Sequence, residues 1–358
     1  MDIVYQRLFN QGIEGQRFTT PEEVVAQLGA VQAQDYHQAL WAIGLRLRSA
    51  TVATVEHAIE ERTILRTWPM RGTIHFVRAE DAKWMSLLSA LRIVPRDTRR
   101  MEQLELDDAI LARCRSLLTA ALSGGKRLSR PDIMLLLEHA GISTKGQRGY
   151  HILWRLSLAG LICQGPLQSK QQTFVLLDEW VVRSREVTHE EALAELAKRY
   201  FIGHGPATVH DFAWWGGLTI TDARIGLAAV KSGLCGEKRN DREYWLSRDV
   251  IDQSLRAPPQ VHLLAGFDEY LLGYGDRSAM LSKEHAEKVV PGNNGVFYPI
   301  IIAAGQVIGT WARTRTKQVV TVTLTPFAQH TDLAIHAHEA IKRYSDFVGL
   351  ALSSVVIH

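Results

Sequence analysis

Three helices followed by a two-stranded hairpin recur along most of this chain, and that order constrains its fold more than any single motif. In the first copy, three segments carry apolar residues at helical spacing: Val24, Val25, Leu28 and Val31; Ala39, Leu40, Ile43 and Leu47; Val52, Val55, Ala58 and Ile59. Thr19 or Thr20, Pro21, Glu22 and Glu23 supply the start signals of the first helix. ILRTW and TIHFV, on either side of PMRG, then read as a β-hairpin. The second copy has a helix over 109–122, a break at Gly124-Gly125, and LSRPDIMLLLEHAG with Ser129 as cap and Gly141 as stop. A third helix over 146–160 and the strands LICQGP and TFVLL complete it. The third copy spans EEALAELAKRYF to VKSG, with LCGEKRN and REYWLS as its hairpin. Trp214-Trp215, inside an apolar helix of this copy, reads as core packing.

Three helices and a hairpin are the parts of a winged helix-turn-helix, so the pattern predicts three tandem winged-helix units ending near residue 248. Residues 79–103 are expected to form one long connecting helix. Beyond residue 260 the character changes: VHLLAGF, VFYPIIIAAG, QVIGTWART and QVVTVTLTPF are β-branched runs separated by Gly, Asn and Pro. They predict a small C-terminal β-barrel or sheet, followed by a helix near 332–349 and a last strand at SSVVIH. The expected fold class is α+β. The expected divisions are 1–103, 104–186 and 187–250 for the winged helices, and 251–358 for the β domain.

A length of 358 residues with 46% hydrophobic content is enough for several such cores. Cys114, Cys163 and Cys235 stand alone, which fits neither a disulfide framework nor a Cys-x-x-Cys zinc site and agrees with a reducing cytoplasm. The N-terminal residues lack signal-peptide character, and no apolar run approaches the roughly 18 residues of a membrane span.

The net charge of +3 permits a polyanionic partner without demanding one. Its distribution says more. Arg92, Arg96, Arg99 and Arg100 cluster after the first hairpin. Lys126, Arg127, Arg130, Lys145 and Arg148 lie in the second copy, and Lys238, Arg239 and Arg242 in the third. Arg313, Arg315 and Lys317 alternate by two, which places three charges on one face of a strand. Each cluster alone also suits a solvated surface. Spread over repeated helix-turn-helix units, they point to double-stranded DNA, bound through its backbone by a monomer that wraps one duplex.

Between the first two helices stands Gln32-Ala33-Gln34, followed by Asp35. In an extended junction, positions i and i+2 face the same side. Two neutral amides offer donors and acceptors but neither acid nor base strength, so any chemistry here needs a positioned water and charge stabilisation. A helix-boundary cap is the plain alternative, and it is the favoured role for Asp35.

Three stretches together resemble the tandem winged-helix DNA glycosylases of the AlkZ/YcaQ type: Gln32-Ala33-Gln34, matching that family's Gln-x-Gln motif; RTWPMRGTIHF at 66–76; and GFDEYLLGYGDRS at 266–278. Gln34 is similar to the AlkZ branch, whereas the other branch has Asp at that position. The resemblance implies a C-shaped protein enclosing duplex DNA. The activity it implies is hydrolysis of the N-glycosidic bond of N7-alkylated purines, including bulky adducts and interstrand crosslinks, in a bacterial cytoplasm at the nucleoid. It assigns catalysis to Gln32 and Gln34. Asp35 is an assisting candidate beside its role as a cap, and Arg71 and His75 in the first hairpin are assisting candidates whose plain alternative is hairpin stabilisation; no metal and no cofactor are expected. Two rival readings are a non-catalytic DNA-binding regulator or lesion binder, and a hydrolase built on the carboxylates of 268–276. Asp268, Glu269, Asp276 and Arg277 are expected instead to form a structural turn with an ion pair.

Overall fold

A computed structural model describes residues 2–15, 18–250, 260–329 and 332–358. The chain packs as two units, one made of Met1–Glu56 with Leu193–His358, the other of His57–Ala192. Both mix helices with sheet. The expected start of the β domain at 251 falls on residues outside the described ones. Among the described residues no helix is long and apolar enough to cross a membrane.

In the unit His57–Ala192, the strands Ile64–Thr67 and His75–Arg78 form the expected first hairpin, and Ile162–Gln164 and Thr173–Leu176 the second. The two hairpins are not separate. Ile64–Thr67 pairs antiparallel with Ile162–Gln164 at Arg66 and Gln164, and Leu128–Ser129 adds to the far side of Thr173–Leu176. Strand edges carry unpaired N–H and C=O groups, and joining the hairpins satisfies both edges at once. The helices Asp108–Leu122, Arg130–His139 and Arg148–Leu158 cover a core that includes Leu118, Ile133, Leu137, Ile152, Leu156 and Phe174. Ser129 caps the middle helix in a reciprocal box with Asp132.

The single connecting helix expected over 79–103 is instead a 3₁₀ turn, Ala79–Asp81, and two helices, Ala82–Arg96 and Thr98–Gln103. The break at Asp97 follows Pro95, which lacks the N–H that would bond back along the helix.

In the other unit, a box between Thr20 and Glu23 starts Pro21–Leu28. The short strand Val31–Gln32 and the helix Tyr36–Gly44 follow. Val209–Gly216, Ile220–Val230 and the hairpin Leu234–Arg239 with Arg242–Ser247 match the expected third copy. Trp215 is buried there, whereas Trp214 is 37% exposed with the Arg277 guanidinium over its ring.

A five-stranded sheet runs in the order Ala351–Ile357, Val319–Pro326, Gln306–Arg315, Ile300–Ala303 and Val261–Leu264. All neighbours are antiparallel except the last strand, which returns parallel to Val319–Pro326. A parallel return needs a crossover, and the helix His338–Val348 supplies it. Among the described residues the outer strands are not paired with each other, so the ladder is an open sheet. The helix expected over 332–349 is two, Leu333–His336 and His338–Val348.

Candidate active site

The glutamine pair lies at the junction between Pro21–Leu28 and Tyr36–Gly44. Gly29 at φ +73 ends the first helix, and Val31–Gln32 is extended. The Gln32 side-chain N–H donates to Oε1 of Gln34 at 2.7 Å. Gln32 is 5% exposed and Gln34 is exposed. One amide is therefore anchored, and it orients the other toward solvent. The Gln34 carbonyl oxygen keeps a second lone pair, and its amide keeps both N–H donors.

Asp35 caps Tyr36–Gly44, accepting from the Gln38 N–H at 3.1 Å. Gln38 is itself buried, and its Oε1 accepts from the Gly266 N–H at 2.9 Å. Further along, the Trp41 indole donates to the Leu263 carbonyl at 2.9 Å and packs edge-on against Tyr344. Arg46, just past the helix, forks onto both oxygens of Asp268 at 2.9 and 2.8 Å and also donates to the carbonyls of Gln11 and Ala42. The glutamine junction is thus held from behind by buried bonds to the segment 263–268. Neither Gln38 nor Arg46 has a local sequence signal for this role, because the partners lie more than two hundred residues away.

Around the helix start, the field is mixed. Partial desolvation of the His37 ring, which still meets solvent, then the charge of Arg315, lowers its pKa, with Asp35 opposing. Burial raises that of Tyr344, whose hydroxyl is hydrogen-bonded to Arg313. Arg313 and Arg315 end the strand Gln306–Arg315 on the face that carries buried Trp311. Lys317 does not lie on that strand, contrary to the expectation from spacing. The strand stops at Arg315, so Lys317 sits in the turn before Val319 and does not share that face.

Arg71 and His75 belong to the other unit. His75 is buried and its Nδ1 donates to the Thr73 carbonyl at 2.8 Å, which fixes the hairpin turn; Arg71 is half-buried in that turn. Among the expected DNA contacts, Arg96, Arg99, Lys126, Arg127, Arg130, Lys145, Lys238, Arg239, Arg315 and Lys317 are exposed. Arg92, Arg100 and Arg313 are partly buried, and Arg100 donates to Gln103 and Gln147. Arg148 spends its donors on the backbone carbonyls of Ser143, Leu104 and Glu105, which makes it a tether of its own fold rather than a surface charge.

The carboxylates of 268–276 are engaged in the structure. Asp268 holds Arg46, Glu269 accepts from the Trp215 indole at 2.9 Å beside His204, and Asp276 pairs with Arg242. Spent this way on structural bonds, they do not form a hydrolytic pair.

Residues 25–347 match the family model of the AlkZ-like DNA glycosylases. An interstrand DNA cross-link repair glycosylase from Streptomyces sahachiroi is 25% identical over 354 residues, covering 93% of this chain and 92% of that protein. The solved structure of the Streptomyces sahachiroi DNA glycosylase AlkZ has the same fold, with a TM-score of 0.82 at 21% identity, covering 100% of this chain and 98% of that one. A family match over residues 25–347, nearly the whole chain, means that the chain belongs to the AlkZ-like DNA glycosylase family.

Proposed function

We propose that this DNA glycosylase hydrolyses the N-glycosidic bond of N7-alkylated purines in duplex DNA, through Gln32 and Gln34. The observation that carries this reading is the 2.7 Å bond from the buried amide of Gln32 to the exposed amide of Gln34. Alkylation at N7 makes the purine cationic, so the base leaves without strong protonation and the sugar develops oxocarbenium character. What remains for the protein is to hold a water in line and aim dipoles at the growing charge. An oriented amide does both without titrating. Asp35 is engaged as a cap and assists by fixing the helix that follows the motif. The chemistry asks for no cofactor.

The helix–helix–helix–hairpin order supports three winged helices within 1–103, 104–186 and 187–250, with the β domain after them. The exposed arginines and lysines on these parts support a duplex as partner of a single chain. The name of the Streptomyces relative supports crosslinked DNA as a further substrate class.

The test is excision from duplex DNA carrying 7-methylguanine, read as free base released. Wild type releases the base; Gln32→Ala and Gln34→Ala bind the duplex but release little. Binding without release by the wild type would favour a lesion-binding protein, and release surviving both substitutions would remove the glutamines from the site.

A further inference from the structure

The geometry points to a phosphate clamp made by Arg62, Arg127 and Trp180, a site in the unit His57–Ala192 that grips the DNA backbone. It rests on the DNA-repair reading but uses residues outside the glutamine junction. Of the three, only Arg127 stands out from the sequence as a DNA contact.

Arg62 follows the helix Val52–Glu60 in a left-handed turn, φ +62. Arg127 follows the Gly124-Gly125 break, and Trp180 ends the short helix Leu177–Trp180. Three distant pieces of chain converge on one indole. The guanidinium carbons of Arg62 and Arg127 lie 4.2 and 4.8 Å from the centre of the Trp180 ring. The indole is 2% exposed while both arginines are exposed, so the ring is a covered platform and the cations are its solvent side.

A guanidinium stacked on a ring uses its face and leaves its edge of N–H donors free. Among the described residues, neither of these two meets a carboxylate. Of the acids that neighbour Trp180 in the chain, Asp178 pairs with Lys83 at 2.7 Å, and Glu179 accepts from the Gly125 N–H at 2.8 Å on the loop that leads to Arg127. Two like charges share one aromatic ring, neither held in an ion pair among the described residues, and exposed Lys126 precedes Arg127 in the chain. Such a site is completed by an anion with several oxygens that takes N–H donors from two forks at once. A phosphate group has that shape, and the duplex presents them in a row.

Phenylglyoxal modification of the full chain, mapped by mass spectrometry, tests this with an undamaged duplex and with pyrophosphate as separate probes. The duplex is expected to shield Arg62 and Arg127. The double variant Arg62→Gln/Arg127→Gln, both at exposed positions, is expected to bind that duplex more weakly. Its plot of log affinity against log salt should be flatter by about 1 to 2, at about 0.9 for each phosphate that is no longer neutralised. A duplex that binds wild type yet leaves both arginines fully reactive overturns the clamp while the glycosylase reading stands. Shielding by pyrophosphate alone overturns it as well. If wild type binds no duplex at all, the DNA reading fails first and the clamp falls with it.

Discussion

The Arg46 guanidinium meets Asp268 in a two-pronged bond, 2.8 and 2.9 Å, and neither side chain reaches solvent. Removing one partner leaves the other charged and buried. Arg46→Ala or Asp268→Ala is therefore expected to cost about 3–5 kcal/mol of stability. Arg46→Lys recovers little, because an ammonium cannot reproduce the planar fork. Denaturant unfolding of the three variants measures this. A loss below about 1 kcal/mol for either alanine variant would mean that the pair holds nothing in place.

The bond between Gln32 and Gln34 predicts that the two act as a unit. Each alanine substitution is expected to slow single-turnover excision by about 10²- to 10³-fold, the usual effect of losing one preorganised dipole. The double variant should be scarcely slower than either single one. Multiplicative losses would show two independent roles and no anchoring of Gln34 by Gln32.

Gly44 illustrates packing set against propensity. Within a helix, Gly→Ala normally stabilises by about 0.5–1 kcal/mol. Here a Cβ would lie 2.2 Å from Cε2 of Phe347, on the helix that crosses behind Tyr36–Gly44. Overpacking of this kind costs about 1–3 kcal/mol, so Gly44→Ala is expected to lower the melting temperature. Adding Phe347→Leu should return part of the loss. A stabilised Gly44→Ala protein would contradict the close approach.

Folding lowers the His37 pKa, so stability depends on pH. Burial and the Arg315 charge make the folded chain bind this proton less readily than the unfolded chain does. The unfolded chain holds more protons between the depressed folded value and the ordinary value of 6.5, so stability rises with pH across that window. Below 6.5 the contribution declines, and it levels off once pH falls past the folded value. Arg315→Gln should raise the His37 midpoint in an NMR titration and reduce the acid sensitivity of unfolding. An unmoved midpoint would leave burial and the Arg313 charge as the causes that lower it.

Local signals in the sequence carry much of the secondary structure. The Thr20 and Ser129 caps, the turn at Met70 and Gly72, and the hairpin around Asn240-Asp241 all depend on chemistry within a few residues. The break at Asp97 is legible in Pro95 but is outweighed by the helical spacing around it. The convergence of Arg62 and Arg127 on Trp180, the junction of two hairpins at Arg66 and Gln164, and the bond from Gln38 to Gly266 have no such signal. Each depends on which surfaces meet, and spacing along the chain carries no information about that. The glutamine pair lies between these cases. Its position between helices is readable, whereas the contrast between a buried Gln32 and an exposed Gln34 depends on packing.

The unit that contains Gln32 and Gln34 is assembled from both ends of the chain, Met1–Glu56 and Leu193–His358. On the ribosome, the early segment must wait while the whole of the other unit is synthesised before Arg46 can find Asp268. A nascent chain halted before residue 268 would carry both glutamines but not the buried support behind them. Competence at this site is therefore acquired late in translation, and truncation from the carboxyl end should silence it even though every residue of the motif remains.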